Sequence, residues 1–427
     1  MTGATGGDVS HPSPSVLVVA GEASGDRIAA RIAAALAKSG VRSFGMGGAA
    51  CRAAGVDLVA DLRQTTAMGL TEVMARLPAI AAAFAQLLAA TRDAKPQAAV
   101  LVDYTEFNLR MGAFLRRRGV PVLWCVAPQV WAWRPRRMAQ VARALDRLAV
   151  ILPFEARLWQ AQGVDAHYIG HPVMDIAPLD RPTARARLGL SSTRPSVAVL
   201  PGSRSHEVRR HLLPMLAALK ELEEAGMAVE ARLFVAASLD DRTRRWLAAT
   251  AEQAGVQTFE ADADAGAATW LGAFDAALTA SGTATLECAL SGAPPVVVYR
   301  LSPITAALAR LVLRTPFVAL PNIVLGAGAY PELLDRDVEP RRMARALAGV
   351  LEHPSTFEAP AQELRARLTW KAPPPRAGSA GPTGDTSADR AASLLATWLS
   401  VGSRRDACEP KGAARPDPRA SAASVPP

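Results

Sequence analysis

Aromatic residues supply only 5% of this 427-residue chain, and its four cysteines (Cys51, Cys125, Cys288, Cys408) are scattered. Few aromatics, and no zinc-ligand, RNP or helix-turn-helix pattern, argue against nucleic acid as a partner. Scattered thiols give no disulfide framework and fit a reducing compartment. Apolar windows are broken by Arg, Asp, Pro or Gly before about 18 residues, so no transmembrane helix is expected. The opening MTGATGGDVSHPSPS has neither the basic start nor the apolar core of a secretory signal, and a cytoplasmic setting follows as an expectation. No bound cofactor is indicated: GEASGD (21–26) only approaches the dinucleotide fingerprint, and no acidic residue stands in the ribose-binding position after the next strand. Nor is a metal. The pair Asp262 and Asp264 could grip Mg²⁺, but it enters a helix in an alanine-rich segment where carboxylates suit the dipole, and no other cluster has ligand spacing.

Half of the chain is apolar, enough to bury the cores of two ordinary domains. The formal net charge of +9 points to an anionic partner or to a solvated basic surface, and composition alone leaves both open. Its basic runs (Arg116 to Arg118; Arg134, Arg136 and Arg137; Arg209 and Arg210) fall next to the segments where a ligand crevice is expected.

Strand and helix alternate from the start. VLVVAGEASGDRIAARIAAALAKSG reads as strand, turn and amphipathic helix, the opening of a βαβ unit. Its small residues Gly21, Ser24 and Gly25 either let a ligand approach a helix N-terminus or simply make a tight turn. Ala98 to Val102 and Val120 to Val126 are apolar runs suited to strands buried on both faces. Asp103 falls where the first should end, which in an open α/β sheet is the ligand edge. Glu106, Asn108, Trp131, Trp133 and Arg134 should share its crevice. Between them and the start, Met68, Leu70, Val73, Met74, Leu77 and Ile80 form an apolar stripe that is either core-facing or an exposed patch for a membrane interface. The segment Arg134 to Leu145 reads as one helix, and GHP (170–172), with His171, as a turn into a second domain.

A second βα series begins at Ser196. Its first loop holds Pro201, Gly202, Ser203 and Arg204, with Glu207 in the helix that follows. A later strand runs into Ser281, Gly282 and Thr283 at the start of a helix, with Glu287 one turn on, placed to accept ribose hydroxyls. One such loop is an ordinary helix cap; two in one domain, one with an arginine, favour a nucleotide diphosphate. The expected organisation is an unstructured 1–14, a first domain at 15–175, a second at 176–371, a Pro/Gly/Ser-rich linker at 372–387, a helix at 388–400 and an unstructured tail at 401–427.

Taken together, AGEASGD (20–26), GMGG (45–48), AMGLTEV (67–73), VDYTEFN (102–108), APQVWAWRP (127–135), LPFE (152–155), GHPVMD (170–175), LPGSR (200–204), ASGTATLE (280–287), YR (299–300) and LPN (320–322) resemble the lipid-A-disaccharide synthases. The resemblance runs in order from residue 16 to about 400. It implies two Rossmann-like domains facing across a cleft, the glycosyltransferase B fold, with C-terminal helices. It implies transfer of 2,3-diacylglucosamine from its UDP derivative to 2,3-diacylglucosamine 1-phosphate, giving a β(1→6) disaccharide and UDP. Neither metal nor cofactor is implied; peripheral attachment to the cytoplasmic face of the inner membrane and a possible homodimer are. Asp103 carries over as catalytic base, Arg204 as diphosphate-binding arginine, and Asn322, Glu287 and the turn Ser281 to Thr283 as nucleotide contacts. Thr105-Glu106 stands where the family usually has Pro-Asp, and Ala127-Pro128-Gln129 where it often has Ser-Pro-Ser. Rival readings are another UDP-sugar enzyme of the same fold, a peptidoglycan-type transferase or 2-epimerase, and a non-catalytic lipid-binding surface protein.

Overall fold

The computed structural model describes residues 14–62, 70–133, 135–260, 266–300, 316–372 and 381–401. The first body is built on seven parallel strands: β1 (Ser15–Ala20), β2 (Arg42–Gly47), β3 (Asp57–Asp61), β4 (Ala98–Val102), β5 (Val122–Cys125), β6 (Arg147–Val150) and β7 (Ala166–Tyr168), in the order β3-β2-β1-β4-β5-β6-β7. Because side chains alternate across a strand, Val16 and Val18 pack with Ile32 and Leu36 on one face, while Leu17 and Val19 pack with Leu87, Leu115 and Trp124 on the other. Both faces being covered explains why β1 and β4 read as unbroken apolar runs.

The second body repeats the plan with six parallel strands, β8 (Ser196–Leu200), β9 (Glu230–Val235), β10 (Gln257–Glu260), β11 (Ala276–Ala280), β12 (Pro295–Tyr299) and β13 (Glu332–Leu334), ordered β10-β9-β8-β11-β12-β13. In each sheet the winding reverses once, between β1 and β4 and between β8 and β11. A crevice opens beyond the carboxyl ends of strands at such a reversal. Topology alone therefore nominates the segments after Ala20, Val102, Leu200 and Ala280.

The chain passes between bodies near residues 170–180 and again after Leu368. On the second pass it returns to the first body, where the helices Ser387–Ser393 and Ala396–Val401 bury Ala391, Leu394 and Leu395 against Val16, Ala29 and Ile32. Arg390 fastens the two passages together. Its Nε donates to the Ile169 carbonyl (2.6 Å) and its guanidinium lies 4.6 Å over the Trp370 ring. Ser387 N–H donates to Asp175 (2.9 Å), and Trp370 Nε1 to the Tyr168 carbonyl (3.0 Å).

The expected single helix at 134–145 is instead a 3-10 turn, Pro135–Arg137, then the short helix Met138–Ala142. Proline there has no amide to donate, which favours a tight start over a continuous helix. Strands β3 and β13, only five and three residues long and mostly half-buried, are additions to the expected set. The residues beyond 401, the first thirteen, and the pair Asp262 and Asp264 lie outside the described set.

Candidate active site

Asp103 is the first residue past β4, and it turns the chain through left-handed space, with φ of 51° there and 48° at Tyr104. An L-residue enters that region at a cost of about 1–2 kcal/mol, so the surroundings must hold it. Asn108, on the helix Thr105–Arg117, does so from below: its Nδ2 donates to the carbonyls of Asp103 and of Val102 (3.4 Å). From above, Gly21 lies so close to Tyr104 that a Cβ would sit 2.0 Å from the ring, and a Cβ on Gly25 would sit 3.7 Å from that of Asp103. The turn 21–25 is thus packed against the Asp103–Tyr104 turn. Burial pushes the Asp103 carboxyl up to about 6, with help from the negative Glu22, against the pull of the Tyr104 N–H and of Arg204. A carboxylate with that pKa is ionised at neutral pH yet basic enough to take a proton.

Arg204 comes from the other body. It precedes the helix Ser205–Glu224, and its guanidinium spans two carboxylates: Nη1 to Glu207 Oε1 (3.1 Å) and Nη2 to Glu22 Oε2 (2.7 Å), the second pair joining the two bodies. Burial works against the cation, but Glu22 and Glu207 outweigh it and hold its pKa above the ordinary value. Beyond β11, Ser281 Oγ donates to the Val318 carbonyl (3.1 Å), while Gly282 and Thr283 are exposed at the start of the helix Thr283–Leu290. Glu287, on that helix, is buried. Its carboxyl is pushed up by burial and drawn down by Arg27 and Arg31, which face it from the first body.

Several expected contacts take other roles. Asn108 and Asn322 are wholly buried, so neither presents surface to a ligand. The Asn322 amide donates to the Tyr330 carbonyl (2.9 Å) and to Glu332 (2.8 Å) and accepts from Tyr330 N–H (2.9 Å); Glu332 also receives the amides of Val318 (2.9 Å) and Ala319 (3.0 Å). The Asn322–Glu332 pair therefore shapes the loop that Ser281 touches. Glu106 is exposed and pairs with Arg137 (2.6 Å). Trp131 donates to the buried Glu155 (3.1 Å), whose carboxyl burial pushes up to about 8. Ser24 is partly exposed, Ser203 exposed, and Gly202 sits where a Cβ would come within 2.7 Å of Glu207. Met68 and Arg134, and the side chains of Leu70, Val73, Met74 and Trp133, lie outside the described residues. Of the rest of the stripe, Leu77 on the helix Leu70–Ala94 is 46% exposed, whereas Ile80 packs on the core.

Three residues escaped the sequence reading. Glu22 and Glu332 are two. The third is His211, whose Nδ1 lies 3.1 Å from the Pro201 carbonyl and whose Nε2 accepts Arg300 N–H (3.1 Å), tying the loops after β8 and β12 together. Accepting at one nitrogen requires the neutral ring, and burial lowers the His211 pKa accordingly. Cavities of about 580 and 670 Å³ open instead at the amino ends of the strands, near Pro195 and Pro294 and near Ser15 and Arg42, on the far side from this cleft.

Residues 16–369 match the family described as lipid-A-disaccharide synthetase, LpxB. The chain belongs to that family. Curated lipid-A-disaccharide synthases agree with it: 43% identity to that of Myxococcus xanthus, covering 79% of this chain and 88% of the relative, and 40% to that of Anaeromyxobacter dehalogenans strain 2CP-C, covering 82% and 91%. The protein of Neisseria meningitidis serogroup C is 36% identical over 84% and 94%. Among solved structures, a UDP-GlcNAc 2-epimerase from Neisseria meningitidis bound to UDP-GlcNAc superposes with a TM-score of 0.57 at 13% identity, covering 81% of this chain and 94% of that one. The glycosyltransferase of kitacinnamycin gives 0.57 at 16%, covering 91% and 100%. Likeness that remote speaks only to fold, the two-body glycosyltransferase B plan expected from the sequence. Family membership makes the chain a glycosyltransferase of lipid A biosynthesis. Among the described residues no helix is long and apolar enough to cross a membrane.

Proposed function

We propose that this cleft joins UDP-2,3-diacylglucosamine to 2,3-diacylglucosamine 1-phosphate, with Asp103 as base and Arg204 as the group that receives the leaving diphosphate. The reading is carried by one observation: a desolvated carboxylate at the end of β4 faces, through Glu22, an arginine from the opposite body. The acceptor 6-hydroxyl oxygen bonds to the donor C1, the C1–O bond to phosphate breaks with its electron pair going to UDP, and the hydroxyl proton passes to Asp103. Inverting transfer needs these two aids, proton removal at one side of C1 and charge stabilisation at the other. Gly282 and Thr283 supply an open helix start for the nucleotide phosphates, and Glu287, one turn on and still 9% exposed where Asn322 is wholly buried, is offered to the ribose.

The acyl chains need an apolar surface, and exposed Leu77 on the helix Leu70–Ala94 offers one point of contact with the cytoplasmic face of the inner membrane. Incubating the protein with both lipids should release UDP and form disaccharide in equal amounts. UDP release without disaccharide would mark a hydrolase or an epimerase-like activity and overturn the reading; disaccharide formation abolished by EDTA would overturn its metal-free chemistry.

A further inference from the structure

Glu22 occupies the N-cap of the helix Ala23–Ala37, a position where Ser, Thr, Asp or Asn normally turns its side chain back onto the helix amides. Its carboxylate makes no such bond. It reaches across the cleft to Arg204, 2.7 Å away, from a turn that rests on Asp103. A diphosphate brings more negative charge than one carboxylate and can engage the guanidinium with two oxygens, so a bound donor should displace Glu22 from it. The released carboxylate remains on the turn packed against Asp103, now without a cation of its own.

We propose that Glu22 is a positioning residue that couples donor binding to proton abstraction: it holds Arg204 until donor binds, surrenders it to the UDP diphosphate, and then presses its free charge on Asp103. Among the described residues, the groups that act on Asp103 are Glu22 on the turn after β1, Tyr104 on its own turn, and Arg204, with Glu207 behind it, from the second body. When Arg204 turns to phosphate, the negative neighbour gains weight against the positive one, and Asp103 becomes a stronger base at the moment the acceptor hydroxyl must lose its proton. The proton taken by Asp103 is later released to solvent as UDP leaves and Arg204 returns. The coupling rests on Asp103 being the base, which Asp103→Asn tests separately.

The test compares full-length wild type, Glu22→Gln and Glu22→Asp, with melting temperature as a check on folding. UDP affinity is measured by calorimetry, and kcat against pH at saturating donor and acceptor. Removing a competing, partly exposed ion pair should tighten UDP binding by about two- to fivefold. Removing the negative neighbour should also move the acid limb of kcat to lower pH in Glu22→Gln, while Glu22→Asp, which keeps the charge, should hold the limb near that of wild type. Weaker or unchanged UDP binding in Glu22→Gln would show that Glu22 is no competitor for Arg204. Tighter binding with an unmoved acid limb would show that the two carboxylates are not coupled. Either result overturns the proposal.

Discussion

Beside their reversals the two sheets turn in opposite ways. In the first, the left-handed positions after β4 and β5 are taken by side-chain-bearing residues, Asp103 (φ 51°), Tyr104 (48°) and Val126 (67°). In the second, the corresponding turns after β8 and β11 use Gly202 (128°) and Gly282 (147°). The contrast follows from what each edge presents. The base proposed here is a side chain, and the first sheet holds it at a strand end on left-handed backbone, with Asn108 clamping the Asp103 carbonyl. The phosphate cradle proposed here is backbone, and the second sheet leaves the Cβ out of it; around Gly282 the space a Cβ would fill is open to 4 Å.

The sharpest way to break this contrast is at Asp103. Asp103→Asn keeps the shape and loses the charge; turnover should fall by about 10²- to 10⁴-fold while UDP binding is retained. With Asp103 as the proposed base the active form in wild type is the carboxylate, so kcat/KM for the acceptor should fall as pH drops below about 6, the value to which burial raises the group. An acid limb nearer 4 would mean that the cleft is more open to water than its packing indicates. Next comes Arg204→Ala, expected to lower kcat by about 10²- to 10³-fold through loss of leaving-group stabilisation. If it raised KM for the donor with kcat unchanged, the arginine would be a uniform binder instead.

Smaller effects probe the backbone itself. Gly282→Ala meets no neighbour but forces alanine into a region nearly closed to L-residues, at about 1–3 kcal/mol. A fall in melting temperature or in UDP affinity of that size should appear. Val126→Gly is the mirror test: relief of strain should nearly cancel the lost packing and the added chain entropy, leaving melting temperature within about 2 °C. A penalty at Val126 as large as that at Gly282 would erase the distinction between the edges. The smallest expected change is Leu77→Asp, which should weaken pelleting with anionic vesicles while leaving melting temperature unaltered, because the side chain is not in the core.

What the sequence made legible was periodic or local. Buried parallel strands announce themselves as apolar runs, so β1, β4, β5 and β8 and the loops after them could be placed, and with them Asp103 and Arg204. The strands β3 and β13 are too little buried to carry such a signal. Partnerships distant along the chain were invisible: Glu22 meets Arg204 across 182 positions, and nothing near GEASGD marks its glutamate as a cross-cleft residue. Glu106 and Asn108 illustrate the same limit from the other side. Three and five residues from Asp103, both read as substrate contacts in sequence, yet the helix pairs one with Arg137 and folds the other under the turn. Sequence neighbourhood locates a site, but the pitch of the helix leaving it decides which neighbours look in.

The return of the last helices to the first body bears on how the protein is made. Val16, Ala29 and Ile32 have their full cover only when Ala391, Leu394 and Leu395 arrive, and on a ribosome those residues emerge on the order of tens of seconds after β7 is complete. Through that interval the amino-terminal half shows an apolar face to the cell while the whole second body is still being synthesised. Nascent chains of this protein should therefore engage general chaperones until the final turn of helix closes the older domain, and folding should finish where synthesis began.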